Sequence, residues 1–188
     1  MNKDDTAIFI DSKWDSWYVP GLSDFVRTPN LTAMVDPEYL TNGLLQKAMA
    51  LVDDYINKLE IQGLKKHIFT TEQGLPLICY VVEASSPEIT SNVMLYGHLD
   101  KQPYGEGWDT SPTDPVIKGD LMYGRGSSDD GYSSFTCMLA VKAGQMQQVP
   151  MPRICLVLET EEESGSSSLI PLLLQAKEAT GVPDFLFC

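Results

Sequence analysis

The amino-acid sequence predicts an α/β fold in which helices cover both faces of a mostly parallel, mixed sheet. Short apolar segments alternate with helical patterns along the second half of the chain, which is typical of parallel sheets. One segment, RICLVLET at 153–160, is almost continuously apolar, as expected for a strand covered on both faces. Unusual polar residues follow several apolar segments directly, at the strand ends where such sheets bind ligands.

The first part of the chain predicts one irregular segment and one long helix. Residues 1–35 contain Pro-Gly and Pro-Asn pairs, which mark turns, so we predict an irregular N-terminal segment there. Asp36-Pro37 has the form of a helix start. Apolar residues then recur at helical spacing, which predicts an amphipathic helix ending near Gly63.

The remaining elements follow from apolar runs and the turn residues between them. Strands are predicted for KKHIFT, PLICYVVEA, NVMLYGH, RICLVLET and PDFLFC. Helices are predicted from Gly131 to about Gln147 and over 164–181, while the Gly- and Pro-rich residues 101–120 predict a long functional loop. Because the last strand meets the end of the chain without a turn, we expect 36–188 to be the N-terminal portion of a longer catalytic domain.

Composition excludes several classes of function. The formal net charge of −13 argues against nucleic acid and anionic membrane surfaces as partners. No segment approaches the roughly 20 apolar residues of a membrane span, and the N-terminus lacks the apolar run of a signal peptide. The four cysteines form no CxxC pair, which argues against a disulfide framework and favours a cytoplasmic location.

Three polar clusters stand at predicted strand ends: His98 with Asp100, the pair Asp129-Asp130, and the acidic run 159–163. Taken singly, each has a simple structural explanation as a hydrogen-bonded histidine, a helix cap or a solvated face. If the strands are neighbours, these ends converge, and so many carboxylates repel one another unless a cation lies among them. Imidazole with carboxylates suits Zn²⁺ best, with Mn²⁺ or Co²⁺ as alternatives.

The segments GHLDKQPYGEGW, LMYGRGSSDDGY and LETEEESGSSSL resemble the three motifs of the co-catalytic dinuclear metallopeptidases. That family includes carnosinase-type dipeptidases, aminoacylase, carboxypeptidase G and succinyl-diaminopimelate desuccinylase. The resemblance covers about 93–188, and its Gly-Trp and Tyr-Gly-Arg-Gly context is most similar to the dipeptidase branch. It implies a zinc-peptidase-like catalytic domain with two divalent metal ions, Zn²⁺ first.

The resemblance also implies a role for each matching residue. His98 would bind one metal, Asp129 would bridge both metals, and Glu163 would bind the second. Glu162 would be the general base, and Asp100 would orient the ring of His98. A register shifted by one residue would instead make Glu161 the base, although the Ser-Gly-Ser sequence that follows favours Glu162.

Two features depart from the family pattern. Gly131-Tyr132 stands where many members have Lys-Gly, which leaves the substrate subgroup open. The family also needs a further acidic ligand after PDFLFC, a distant histidine, and a smaller inserted domain that often dimerises, all beyond Cys188. His67 is not expected to replace that histidine. We therefore expect little or no turnover from the 188 residues alone, and a possible homodimer only for the full-length protein.

The predicted function is metal-dependent hydrolysis of the amide bond of a dipeptide or short peptide. An N-acyl-amino-acid deacylase would use the same site on another substrate, and a relative without metal stays open. A non-catalytic α/β module for nucleotides is disfavoured, because YGRGSSDDG lacks the GxGxxG pattern and a phosphate-binding lysine. A serine hydrolase is disfavoured because no GxSxG surrounds the serines.

Overall fold

The computed structural model describes residues 2–188; Met1, the first residue of the predicted N-terminal segment, lies outside them. The helices are α1 Lys3–Lys13, α2 Val19–Arg27, α3 Leu44–Asn57, α4 Gly131–Met146 and α5 Leu169–Thr180. The strands are β1 Lys65–Thr70, β2 Pro76–Val82, β3 Asn92–His98, β4 Val116–Lys118, β5 Leu121–Tyr123, β6 Arg153–Glu159 and β7 Phe185–Phe187.

Within these residues a five-stranded sheet has the order β1-β2-β6-β3-β7. Strand β2 is antiparallel to β1 and β6, whereas β3 is parallel to β6 and β7. The other four strands of this sheet therefore run in one direction, which confirms the predicted mostly parallel, mixed α/β sheet. Strands β4 and β5 form a separate hairpin, and β4 lies in the segment predicted as a loop.

Helices cover both faces of the sheet, as predicted. On one face, side chains from α1 to α4 pack with alternate residues of β2 and β6, including Ile78, Tyr80, Leu156 and Leu158. On the other face, Leu172 and Ala176 of α5 pack on the intervening residues Leu77, Cys79, Val81, Cys155 and Val157. Strand β6 lies between β2 and β3 and is buried on both sides, which explains why it is apolar almost throughout.

The prediction of an irregular N-terminal segment is wrong for residues 3–27, which are helical throughout. A π-helical turn at Trp14–Tyr18 joins α1 directly to α2. The Pro20-Gly21 pair, interpreted from the sequence as a turn, lies within α2. Pro20 lies in the first turn of α2, where the missing N–H is tolerated. Gly21 lets α2 approach Phe135 of α4, because a Cβ there would lie 2.6 Å from the Phe135 ring.

The helix predicted to begin at Asp36-Pro37 begins later, at Leu44, and ends at Asn57 rather than near Gly63. Asp36 closes a turn instead: its Oδ1 accepts the Glu38 N–H at 3.0 Å, and its Oδ2 accepts the Asn42 amide. Gly43 then has a φ of +79°, a left-handed conformation that separates this turn from α3.

None of the helices within residues 2–188 combines the length and the apolar character that crossing a membrane requires. The four cysteines carry free thiols, with Cys79 and Cys155 buried in the sheet and Cys188 exposed.

The sheet core should respond to truncation differently from the outer face of α5. Leu158→Ala is expected to lower the free energy of unfolding by about 2–5 kcal/mol, because Leu158 is fully buried and its removal leaves a cavity. Leu174→Ala is the matched control, because Leu174 is 69% exposed and its loss should change stability by less than about 0.5 kcal/mol. Urea denaturation measures both, and equal losses would contradict the assigned core.

Candidate metal centre

His98 lies at the end of β3, where both ring nitrogens have carboxylate neighbours. Nε2 lies 3.0 Å from Oδ1 of Asp129 and 3.7 Å from Oε2 of Glu162. Nδ1 lies 3.1 Å from the main-chain oxygen of Asp100 and 3.5 Å from its Oδ1. The ring is buried, so the strand end places an imidazole between acids on both sides.

Asp100 is fully buried and joins two separate parts of the chain. Its Oδ1 accepts the N–H of Glu162 at 3.1 Å, and its Oδ2 accepts the N–H of Glu163 at 3.0 Å. These two donors belong to a 3₁₀ turn over Glu162–Ser164, which begins three residues after the end of β6. The structure places Asp100 beside Nδ1 of His98; its role in orienting that ring stays a prediction. Its contact with the glutamate turn was not foreseen.

The acidic pair before α4 approaches His98 from a third element. Asp129 faces Nε2, while Oδ2 of Asp130 accepts the main-chain N–H of His98 at 2.9 Å. This contact requires a glycine before His98, because a Cβ on Gly97 would lie 2.7 Å from Oδ2 of Asp130. The peptide bond between Asp129 and Asp130 is cis. Asp130 thus holds the backbone of the predicted ligand, which the sequence did not reveal.

Glu163 completes a group of side chains that could hold a cation. One ligand atom each from His98, Glu162 and Glu163 lies within 4.8 Å of the others. Gln102 donates a hydrogen bond to Oε2 of Glu163, whereas Oε1 is buried without a hydrogen-bond partner among residues 2–188. A buried carboxylate oxygen without a partner fits a metal ligand, and imidazole with carboxylates is a donor set that Zn²⁺ accepts.

The electrostatics of the centre also favour positive charge. Burial raises the pKa of Glu163, and the charges of Asp129 and Glu162 act in the same direction, although the Gln102 hydrogen bond lowers it. Burial alone would lower the pKa of His98, but its contacts with Asp100, together with the acids before α4, raise it to about 9. Both shifts reflect several carboxylates held close together around one imidazole in a partly desolvated cluster.

The other acids of the run after β6 have structural partners. Oε2 of Glu161 accepts the N–H of Ser168 at 2.9 Å, and its Oε1 accepts the Ser167 hydroxyl, which caps the start of α5. Glu159 accepts hydrogen bonds from Tyr96 and Ser166. His67 lies on β1, at the sheet edge, with β2 and β6 between it and β3.

The structure thus brings together all five residues that the sequence singled out: His98, Asp100, Asp129, Glu162 and Glu163. Their individual roles as ligands, base and ring partner stay predictions. Sequence reasoning missed Gln102, whose only signal was its position two residues after Asp100.

Comparison with known proteins places this arrangement among peptidases. Residues 94–187, half of the chain, match the model described as Peptidase family M20/M25/M40. A succinyl-diaminopimelate desuccinylase from Erythrobacter litoralis is 29% identical over 142 residues, 72% of this chain and 37% of that protein. A Beta-Ala-His dipeptidase from Mus musculus is 32% identical over 143 residues, 71% of this chain and 29% of that protein.

Solved structures give the same picture for the fold. Human carnosine dipeptidase 1 superposes with a TM-score of 0.79 at 25% identity, covering 97% of this chain and 40% of that one. A metallo-carboxypeptidase of the M20 family from Sulfolobus solfataricus gives 0.71 at 22% identity, covering 90% and 36%. The chain spans less than half the length of these relatives. The family match confirms the resemblance seen in the three motifs: this chain belongs to peptidase family M20/M25/M40.

Proposed function

We propose that the protein carrying this chain is a metal-dependent amidohydrolase that cleaves the amide bond of dipeptides or short peptides. The observation that carries the proposal is the convergence of His98, Glu162 and Glu163, with Asp129 3.0 Å from the imidazole. Among residues 2–188, no lysine or arginine forms an ion pair with these acids, and their one basic neighbour within 4 Å is the imidazole of His98 itself. The names of the relatives, a dipeptidase and a desuccinylase, support a small amide substrate.

His98, Asp129 and Glu163 would hold the metal, with two divalent ions expected, Zn²⁺ first and Mn²⁺ or Co²⁺ as alternatives. Bound ions would supply Lewis acidity to the scissile carbonyl and lower the pKa of the attacking water. The ligand roles rest on the position of each side chain. His98 and Asp129 face each other, and Glu163 has an oxygen without a protein partner.

Glu162 would act as the general base that takes a proton from the attacking water and passes it to the leaving amine. Its side chain is partly exposed, and its Oε2 lies 3.7 Å from His98, at the edge of the cluster. Glu161, the alternative base in a shifted register, uses both carboxylate oxygens to accept hydrogen bonds from Ser167 and Ser168, just before α5. Asp100 would hold the ring of His98 and the turn that carries the base.

Deacylation of an N-acyl amino acid is the second candidate, because one of the relatives is a desuccinylase. It would use the same ligands and the same base on a different acyl group. We also propose that the 188 residues alone hold an incomplete centre, with weak metal affinity and little turnover. A cytoplasmic location and a homodimer of the whole protein remain parts of this proposal.

Replacing the two adjacent glutamates should separate chemistry from metal binding. Glu162→Gln is expected to keep the metal and lose activity by about 10²–10⁴-fold, because the amide cannot accept a proton. Glu163→Gln is expected to lose metal, since it removes a charged ligand. Metal content and hydrolysis of Beta-Ala-His and succinyl-diaminopimelate by the whole protein, before and after chelation, measure both effects.

Glu161→Gln is the matched control and should retain both metal and activity. Full activity of Glu162→Gln would contradict the assigned base. Undiminished hydrolysis after complete removal of metal would contradict metal dependence altogether. Metal binding without hydrolysis of either amide would favour a binding module over an enzyme.

Asp100→Asn should disturb the centre through the backbone rather than through the metal ligands. The amide offers one acceptor oxygen where the carboxylate offers two, so one buried N–H of the glutamate turn loses its partner. We expect the free energy of unfolding to fall by about 1–3 kcal/mol. Urea denaturation of the 188-residue chain measures this, with the exposed Asp109→Asn as the control. An unchanged stability would mean that Asp100 does not hold the turn.

A further inference from the structure

The segment that follows α2 contacts both parts of the candidate metal centre. We name residues 28–34 the N-terminal brace. They include the irregular part of the chain between the helical N-terminus and the turn at Asp36. Although the brace contributes no predicted metal ligand, three of its residues, Thr28, Asn30 and Thr32, are buried polar residues. Buried polar groups of this kind are normally explained by the hydrogen bonds they make.

Toward β3, the brace holds the residues that follow His98. The Asn30 side-chain amide donates to the main-chain oxygen of Leu99, and the N–H of Thr32 donates to the main-chain oxygen of Lys101 at 2.9 Å. The side chain of Lys101 continues this contact. Its ammonium is buried and donates to the carbonyls of Phe25 and Thr28 at 2.6 Å each.

Toward β6, the brace holds the turn that carries the glutamates. The hydroxyl of Thr32 shares a hydrogen bond with the hydroxyl of Ser164, and the N–H of Met34 donates to the same Ser164 oxygen at 2.9 Å. Ser164 directly follows Glu163 and ends the 3₁₀ turn. Thr32 thus reaches the Glu162–Ser164 turn with its side chain and the His98 strand end with its backbone.

We infer that Thr32 is a positioning residue of the metal centre, which fixes the distance between His98 and Glu163 by bonding to both strand ends. The inference rests on the proposed metal-binding function. Ligands on two loops bind a cation more tightly when their separation is fixed before the ion arrives, and groups that hydrogen-bond metal ligands typically contribute about 10–100-fold in affinity, an upper range for a contact one residue further out. Thr32 supplies such a contact without touching a predicted ligand itself.

The test compares three variants of the whole protein that carries this chain, with Co²⁺ as the probe. Thr32→Val keeps the shape of the side chain and removes its hydroxyl, so Co²⁺ affinity should fall about 10-fold, with a changed d–d absorption spectrum. Thr32→Ser keeps the hydroxyl and should restore the wild-type affinity and spectrum. Thr180→Val is the matched control, because Thr180 is equally buried and its hydroxyl bonds only within the end of α5.

Urea midpoints of the same variants separate metal binding from general stability. The inference predicts that Thr180→Val loses stability without losing Co²⁺ affinity. Equal loss of affinity in the two valine variants, or unchanged affinity in Thr32→Val, would overturn it. If Thr32→Val does not fold, Ser164→Ala removes the hydroxyl contact with Thr32, together with the Met34 N–H bond, from a half-buried position. The same affinity and stability criteria then apply. Failure of the wild-type whole protein to bind Co²⁺ would instead contradict the proposed function.

Discussion

The buried carboxylate of Asp100 is the interaction on which the candidate centre depends. From a fully buried position it accepts two main-chain N–H groups of the glutamate turn and also approaches the ring of His98. A neutral side chain of the same size could not satisfy both donors. The end of β3 therefore contributes to the centre in two ways. Its last residue, His98, offers an imidazole, and Asp100 in the loop that follows holds the backbone of Glu162 and Glu163.

This arrangement concentrates negative charge that the protein alone does not neutralise. Asp100, Asp129, Glu162 and Glu163 surround one imidazole, and the buried Lys101 points away from them toward the carbonyls after α2. Burial lowers the pKa of Lys101 to about 7. Its side-chain nitrogen contacts the carbonyls of Phe25 and Thr28 and the Phe25 ring. Within residues 2–188, four carboxylates therefore face one basic group, the imidazole of His98, and this imbalance is the physical basis for proposing a bound cation at this edge.

The sequence predicted those elements whose local apolar pattern matches the way they pack in the folded protein. Strands β1, β2, β3 and β6 and helix α4 lie where apolar periodicity placed them. His98, Asp100, Glu162 and Glu163 meet because the parallel strands β3 and β6 end at one edge, whereas Asp129 reaches them from the turn before α4, outside this sheet. The N-terminal helices were missed because Pro20 and Gly21 look like a turn. Their helical conformation depends on packing against Phe135, more than one hundred residues away in the chain. No local pattern contains that contact.

Thr32 and Gln102 illustrate the same limit at the site itself. Neither belongs to a residue class that metal sites require, and each is recognised only by what it contacts after the chain has folded. In the N-terminal brace, the backbone N–H groups of Thr32 and Met34 donate to two other segments rather than to a helix or sheet ladder. A segment without helix or strand can thus still be held in place by hydrogen bonds from its buried polar side chains. Residues 28–34 bond to the segments after β3 and after β6, so the edge that holds the candidate centre is built partly from them.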